Sequence, residues 1–178
     1  MTMTVQPIIE TQRLILRPFI LNDAEGIQEL AGNYNVAKST LNIPHPYKDG
    51  MAEEWISTQT PAWEEKSSIT YAIFLKKNNQ LMGAIGLVGI KGTEGGIGYW
   101  IGEPYWNQGY CTEATKVFLN FCFERLKLSR IEAEHLVSNP ASGKVMQKAG
   151  MVYKTNKDIE DRDGLKAEVI VYERIAKK

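Results

Sequence analysis

The segment Gly98–Ala114, which reads GYWIGEPYWNQGYCTEA, joins an apolar strand to a helix through a short loop. A helix leaves its first backbone N–H groups without partners inside the helix, and its dipole places partial positive charge there. Gln108 to Thr112 can therefore present backbone donors to an anion, and Gly109 lets such a ligand approach closely because it lacks a Cβ atom. The segment predicts a binding loop for a diphosphate.

This loop resembles the pyrophosphate loop of the GNAT superfamily, the acyl-CoA-dependent N-acyltransferases. The family pattern is Arg/Gln-x-x-Gly-x-Gly/Ala, and Gly109 occupies its fourth position. Two positions depart from the pattern, because Trp106 stands where Arg or Gln is usual and Cys111 stands where Gly or Ala is usual. A Trp followed by Gly-Tyr-small-Thr-Glu-Ala is similar to the ribosomal-protein N-acetyltransferase branch in particular.

Two further motifs extend the resemblance over nearly the whole chain. Thr11–Phe19 followed by Asp23-Ala24 resembles the opening strand and first helix of that branch, and Asn139–Ser142 followed by Lys148–Met151 resembles its Asn-x-x-Ser helix. The resemblance implies a mixed α/β GNAT fold in a single domain over residues 1–178. That fold has a central, mostly antiparallel twisted sheet, which contains a splayed strand pair and is flanked by helices.

Composition restricts the classes of function. Lys plus Arg number 21 and Asp plus Glu number 21, so the chain lacks the overall basic field of a general nucleic-acid binder. Met1 to Pro7 show no signal sequence and no apolar run reaches about 18 residues, which leads us to expect a cytoplasmic protein without a membrane segment. His45 and His135 stand far apart, and Cys111 and Cys122 show no metal-ligand spacing with them, so we expect no metal.

Hydrophobic periodicity predicts the element order β-α-α-β-β-β-α-β-α-β-β. One strand is expected over Val5–Phe19, then a helix capped by Asn22 or Asp23, a loop over residues 33–50 and a helix over residues 52–63. Asp158–Asp161 is an acidic run of the kind that is usually a solvated loop. The other predicted strands are Ile69–Lys76, Leu81–Ile90, Ile97–Ile101, Arg130–Val137 and Ala167–Ile175, and the other helices follow Thr112 and Asn139.

The resemblance implies acetyl-CoA as cosubstrate and assigns residues to it. In the family, a bulge in the strand equivalent to Ile97–Ile101 splays it from the strand equivalent to Arg130–Val137, and pantetheine threads the gap. Asn139 would touch the pantetheine, and Ser142 would lie near the sulfur, where its hydroxyl can protonate the departing thiolate. The other residues implied to bind the cofactor are Trp100 and Ile101 through main-chain groups, and Gln108, Gly109, Tyr110, Cys111 and Thr112 through the loop.

Several alternatives stay open at this stage. Helix capping alone would also place an Asn before Pro and Ser, and both roles can hold at once. Glu160 lies where some relatives carry the carboxylate that removes the amine proton, with Asp161, Glu168 and His135 as substitutes. Covalent catalysis by Cys111 would benefit from a helix N-terminus, which lowers a thiol pKa, but no Cys-His arrangement is recognisable.

We therefore predict direct transfer of acetyl to a primary amine in a ternary complex. Near pH 7.5 an α-amine with a pKa of about 7.8 is roughly one third neutral, whereas a lysine amine with a pKa of about 10.4 is about 0.1% neutral. This difference favours a peptide or protein N-terminus, such as that of a ribosomal protein. The alternatives are a small-molecule amine as acceptor and a non-catalytic acyl-CoA sensor, and a homodimer is one assembly left open.

Overall fold

The computed structural model describes residues 5–161 and 164–176. Eight strands form one open sheet in the order β1-β2-β3-β4-β5-β6-β8-β7. The strands β5 and β6 pair in parallel, and every other neighbouring pair is antiparallel, so the prediction of a mixed, mostly antiparallel sheet is confirmed. The bounds are β1 Ile9–Glu10, β2 Leu14–Arg17, β3 Ile69–Leu75, β4 Gln80–Lys91, β5 Glu94–Ile101, β6 Arg130–Leu136, β7 Val152–Glu160 and β8 Lys166–Ile175.

Helices cover both faces of this sheet. The helices α5 and α6 pack on one face, where Phe118 and Phe121 of α5 are buried and lie edge-on to Tyr71 of β3. Burying each of these rings stabilises the fold by about 1.5–3 kcal/mol. On the other face, α1 and α3 bury Ile27 and Ala52 in a second cluster. The helices are α1 Ala24–Ala31, α2 Tyr34–Lys38, α3 Met51–Ser57, α4 Gln59–Glu65, α5 Tyr110–Glu124 and α6 Pro140–Lys148.

The first predicted strand was too long. A turn separates β1 from β2, because the Leu14 N–H donates to the Thr11 hydroxyl at 2.8 Å and the Thr11 N–H donates to the Leu14 carbonyl at 3.0 Å. Asp23 does precede α1, but its carboxylate accepts from Arg17 and from the Ile20 N–H at 2.9 Å rather than capping that helix.

The predicted loop over residues 33–50 contains the short helix α2. Asn33 caps it, since its side-chain oxygen accepts from the Asn35 N–H at 2.7 Å and the Val36 N–H at 3.4 Å. The predicted helix over residues 52–63 is divided at Thr58 into α3 and α4. Pro61 lacks the N–H that a continuous helix would bond to the Ser57 carbonyl.

The acidic run Asp158–Asp161 does not form the solvated loop that such runs usually form. Asp158, Ile159 and Glu160 belong to β7 and lie opposite Glu168, Ala167 and Lys166 of β8. These residues are therefore held by ladder hydrogen bonds in a hairpin and do not form a free loop.

Candidate active site

The sheet opens between β5 and β6. Parallel pairing covers only Glu94–Ile97 with Arg130–Ala133, although β5 continues to Ile101 and β6 to Leu136. The predicted splayed pair is thus present, but the implied bulge within Ile97–Ile101 is not. The register of β5 with β4 runs unbroken from Gly96 to Ile101, and the irregularity lies at Val88–Lys91 of β4. The gap arises because β6 stays paired with β8 along its whole length and so diverges from β5.

Main-chain groups of β5 line this gap. The Gly102 N–H donates to the Met82 carbonyl of β4 at 2.8 Å. In an antiparallel ladder the direction of the main-chain groups alternates, so the N–H and C=O of Trp100 also point toward β4. The N–H and C=O groups of Tyr99 and Ile101 point away from β4. The Trp106 indole N–H donates to the Ile101 carbonyl at 2.6 Å. Both Tyr99 groups and the Ile101 N–H therefore remain directed into the gap, while Trp100 contributes its side chain.

The start of α5 forms an uncapped helix N-terminus beyond the end of β5, where Gly109 and Thr112 line a second concavity together with Thr11 and Lys116. Gly109 precedes the helix with φ +80°, a conformation that favours glycine, and no side chain caps the first turn. The first intrahelical bond runs from the Glu113 N–H to the Gly109 carbonyl at 3.0 Å. Within the described part of the chain, the N–H groups of Tyr110, Cys111 and Thr112 have no acceptor. Three donors and the positive end of the helix dipole therefore converge on one point.

Arg13 of β2 holds this loop in place, a role that the sequence analysis missed. Its guanidinium donates to the Gln108 carbonyl at 3.0 Å and to Glu113 at 2.7 Å, and it stacks over the Tyr110 ring with Cζ 4.4 Å from the centroid. Burial alone would raise the pKa of Glu113, but hydrogen bonds from Thr11 and Arg13 outweigh it and lower that pKa. The sequence contains one indirect signal for this role of Arg13. Trp106 stands where the family pattern has Arg or Gln, so the loop itself lacks that side chain.

Gln108 and Cys111 take structural parts in the loop. The Gln108 side-chain amide donates to the Pro104 carbonyl at 2.9 Å. Burial raises the pKa of the Cys111 thiol to about 12, partly offset by a hydrogen bond with Thr115. The alternative of covalent catalysis by Cys111, which already lacked a recognisable Cys-His arrangement, gains no support from this raised pKa. A protonated thiol is a poor nucleophile.

The first turn of α6 spans the gap. The Asn139 side-chain oxygen accepts from the Ser142 N–H at 3.3 Å, so the predicted cap is confirmed, and its amide N–H donates to the Ser39 carbonyl at 2.9 Å. The Ser142 hydroxyl lies 3.1 Å from the Tyr99 hydroxyl, which donates to the Ser142 carbonyl at 3.0 Å. Burial raises the pKa of Tyr99, so this phenol is neutral and donates. Tyr99 was not among the predicted site residues.

Of the four predicted base candidates, only His135 lines the cleft together with Ser142. The His135 ring is buried below α6, with Nδ1 2.8 Å from the Leu136 carbonyl and Nε2 packed so closely that a Cβ on Gly143 would lie 2.5 Å away. The other three lie on the β7–β8 hairpin. Glu160 is exposed at the end of β7, Asp161 accepts from the Leu165 N–H at 2.9 Å, and Glu168 accepts from the Asn156 amide at 2.9 Å.

A cleft of about 690 Å³ passes through the opening from one face of the sheet to the other. Trp55 and Tyr47 line it on the side of α3, and Ser142 and Met146 line it on the side of α6. Among residues 5–161 and 164–176, no cluster of three His, Cys, Asp or Glu side chains is arranged to hold a metal ion. Within the same ranges, no helix is long and apolar enough to cross a membrane.

Known proteins share both sequence and fold with this chain. The family model described as an acetyltransferase (GNAT) domain matches residues 13–152. The uncharacterized N-acetyltransferase YoaA of Bacillus subtilis (strain 168) is 32% identical over 146 residues, which are 81% of this chain and 82% of YoaA. A GNAT-family acetyltransferase from Bacillus anthracis has a TM-score of 0.82 at 25% identity, over 95% of this chain and 98% of that one. RimL, a ribosomal alpha-N-protein acetyltransferase in complex with coenzyme A, has a TM-score of 0.83 at 19% identity, over 96% of this chain and 98% of RimL.

Proposed function

This chain belongs to the GNAT family of acetyltransferases, and we propose that it transfers the acetyl group of acetyl-CoA directly to the α-amine of a peptide or protein. The observation that carries the proposal is the cleft between β5 and β6, which Ser142 lines, together with a second concavity at the uncapped start of α5, which Gly109 and Thr112 line. Direct transfer needs little more than a held thioester, a neutral amine and a proton donor.

The residues present fit acetyl-CoA, which supplies the activated acetyl thioester when bound. The N–H groups of Tyr110, Cys111 and Thr112 match the oxygens of a diphosphate, and Gly109 leaves room for them. The main-chain groups of Tyr99 and the Ile101 N–H offer the hydrogen bonds that the amides of pantetheine require. That RimL, which shares this fold, was solved with coenzyme A supports the same cosubstrate here.

Ser142 protonates the departing thiolate. Its hydroxyl now bonds to the Tyr99 hydroxyl at 3.1 Å, and rotation about the Cβ–Oγ bond turns the same proton toward the cleft that Ser142 lines. Asn139 orients this turn of α6 by capping the Ser142 N–H. The contact of Asn139 with pantetheine and the role of Glu160 as base stay sequence predictions. Both ends of the Asn139 amide are already bonded within the protein, and the cleft lining does not include Glu160.

The α-amine assignment rests on amine basicity and on fold. An α-amine is partly neutral at physiological pH and needs less help from a base than a lysine amine does. RimL is described as an alpha-N-protein acetyltransferase, which supports an acceptor of the same class. A small-molecule amine is the alternative that the test must separate.

Mass spectrometry with isotopically labelled acetyl-CoA tests the acceptor. The panel contains ribosomal proteins, short peptides with free or blocked N-termini, and small amines. We expect label on free α-amines and release of one free thiol per acetyl transferred. Label confined to lysine side chains or small polyamines would contradict the α-amine assignment, and binding of acetyl-CoA without thiol release would indicate a sensor.

A further inference from the structure

The attacking amine enters as an ammonium ion in large part, and its proton needs an acceptor in the cleft. The described residues that line the cleft include the imidazole of His135 and two carboxylates, Glu132 and Glu134, all on β6, and no Lys or Arg. The His135 ring packs against Gly143 on the face of α6, with Nδ1 2.8 Å from the Leu136 carbonyl, so the two carboxylates are the candidates on the other face. Neither was predicted from the sequence. We propose, on the premise of the proposed function, that Glu134 is the carboxylate that takes the proton of the amine.

The position of the two glutamates along β6 separates them. Glu132 lies opposite Gly96, inside the paired part of the strands. Glu134 lies one residue beyond the last parallel pair, Ile97 with Ala133, where the strands diverge. Of the two carboxylates, only Glu134 therefore stands at the opening itself.

The ion pairs of Glu132 and Glu134 also distinguish the two residues. Glu132 contacts Lys154 and has Arg130 at 3.9 Å, and its hydrogen bond with Lys154 lowers the pKa of the Glu132 carboxyl. Glu134 is bound by one cation, with Lys157 Nζ 2.5 Å from Oε2. Among the described residues, two cations therefore hold Glu132, both at Oε1, whereas Glu134 is held by Lys157 alone.

The opposite wall leaves space in front of Glu134. Paired residues of parallel strands share a face, so Gly96 lies on the same face as Glu132, and alternation places Gly98 on the same face as Glu134. A Cβ atom on Gly98 would meet no atom within 4 Å. An acceptor can therefore approach the opening from this face, which is also the face of Trp100 and α1.

Glu134 and Ser142 then act from opposite faces of the sheet. Tyr99 and His135 point to the face of α6, where Tyr99 contacts Ser142 and His135 packs on Gly143. Glu134, one residue before His135, points to the other face. A base on the entry side and a proton donor on the exit side suit an amine that attacks from one face while a thiolate leaves toward the other.

The proton balance closes with these two groups. The ammonium gives one proton to the Glu134 carboxylate, which is one third exposed and returns it to solvent. The neutral nitrogen forms the C–N bond, the C–S bond breaks, and the thiolate takes the second amine proton through the Ser142 hydroxyl. The products are the acetylated amine, free coenzyme A and one proton.

The test compares Glu134→Gln with Glu132→Gln, a matched change two residues away on the same face and also ion-paired to a lysine. Calorimetry with acetyl-CoA and thermal melting first establish that both variants fold and bind. With a peptide α-amine at pH 7, we expect Glu134→Gln to lower kcat by about 10²–10⁴-fold, the range for a general base. Glu132→Gln should lower kcat far less than Glu134→Gln, because Glu132 lies inside the paired part of the strands and loses only a partly exposed ion pair.

The same pair is measured near pH 9.5, where the α-amine is neutral without help and the loss in Glu134→Gln should shrink. The charged group facing Glu134 from the neighbouring strands is Lys157 of β7, while Val171 of β8 and Gly98 of β5 carry no charge. Wild-type turnover in Glu134→Gln, an equal loss in Glu132→Gln, or a loss unchanged at pH 9.5 would overturn the assignment. So would a loss in Glu160→Gln beside an active Glu134→Gln. An inactive wild-type protein would overturn the proposed function itself.

Discussion

The helices α5 and α6 pack on the same face of the sheet, and they use their N-termini in opposite ways. The helix α5 begins after Gly109, which offers no side-chain cap and leaves three N–H groups without acceptors in the described part of the chain. The helix α6 begins after Asn139, which caps the Ser142 N–H, and its first residue, Pro140, has no N–H to satisfy. In α5 the N-terminus thus has no side-chain cap, whereas in α6 the Asn139 side chain caps one of the first N–H groups. We infer that α5 binds, whereas α6 positions a hydroxyl.

The largest effect is expected when the Ser142 hydroxyl is removed. Ser142→Ala should lower kcat by about 10²–10⁴-fold, the range for a general acid, and leave the affinity for CoA nearly unchanged. Steady-state kinetics and calorimetry on the same preparation measure both. A near-normal rate per folded molecule, together with a lower melting temperature, would leave Ser142 with a structural role only.

The second test fills the open N-terminus. Gly109→Val forces a β-branched residue into φ +80° and places methyl groups beside the free N–H groups, so CoA binding should weaken by about 1–3 kcal/mol. Gly50→Val is the matched control, because Gly50 also precedes a helix, has φ +83° and has no atom within 4 Å of an added Cβ. Both variants share the backbone strain, but only Gly109→Val should lose CoA affinity. Equal affinity in the two variants would remove the loop from the binding site.

The smallest effect is expected at the closed N-terminus. Asn139→Ala removes the cap and the bond to Ser39, and should lower the free energy of unfolding by about 0.5–2 kcal/mol. Asn139→Asp keeps the accepting oxygen and should recover most of that loss. Denaturant unfolding measures both variants. If turnover falls in Asn139→Ala while stability is kept, Asn139 contacts the substrate and its cap is secondary.

Helix starts were predicted from the sequence more accurately than the lengths of strands and helices. The strand–loop–helix order around Gly109 and the cap at Asn139 were both predicted correctly, because each depends on residues within four positions of one another. The strand that became β1 and β2 and the helix divided at Thr58 were read as too long. There the hydrophobic period continues across the break, and only a local turn or a missing proline N–H interrupts the element.

Local chemistry therefore determined from sequence where α5 and α6 start, which backbone groups of α5 stay free and which family the loop resembles. The tertiary structure decided which distant residues complete the site. Arg13 reaches the loop from about a hundred positions away, Tyr99 meets Ser142 across the opening, and Glu134 comes to its edge. The physical reason lies in strand pairing. Tyr99 and Glu134 reach the opening because β5 and β6 no longer pair with each other there. The divergence of β5 from β6 accompanies the full-length pairing of β6 with β8.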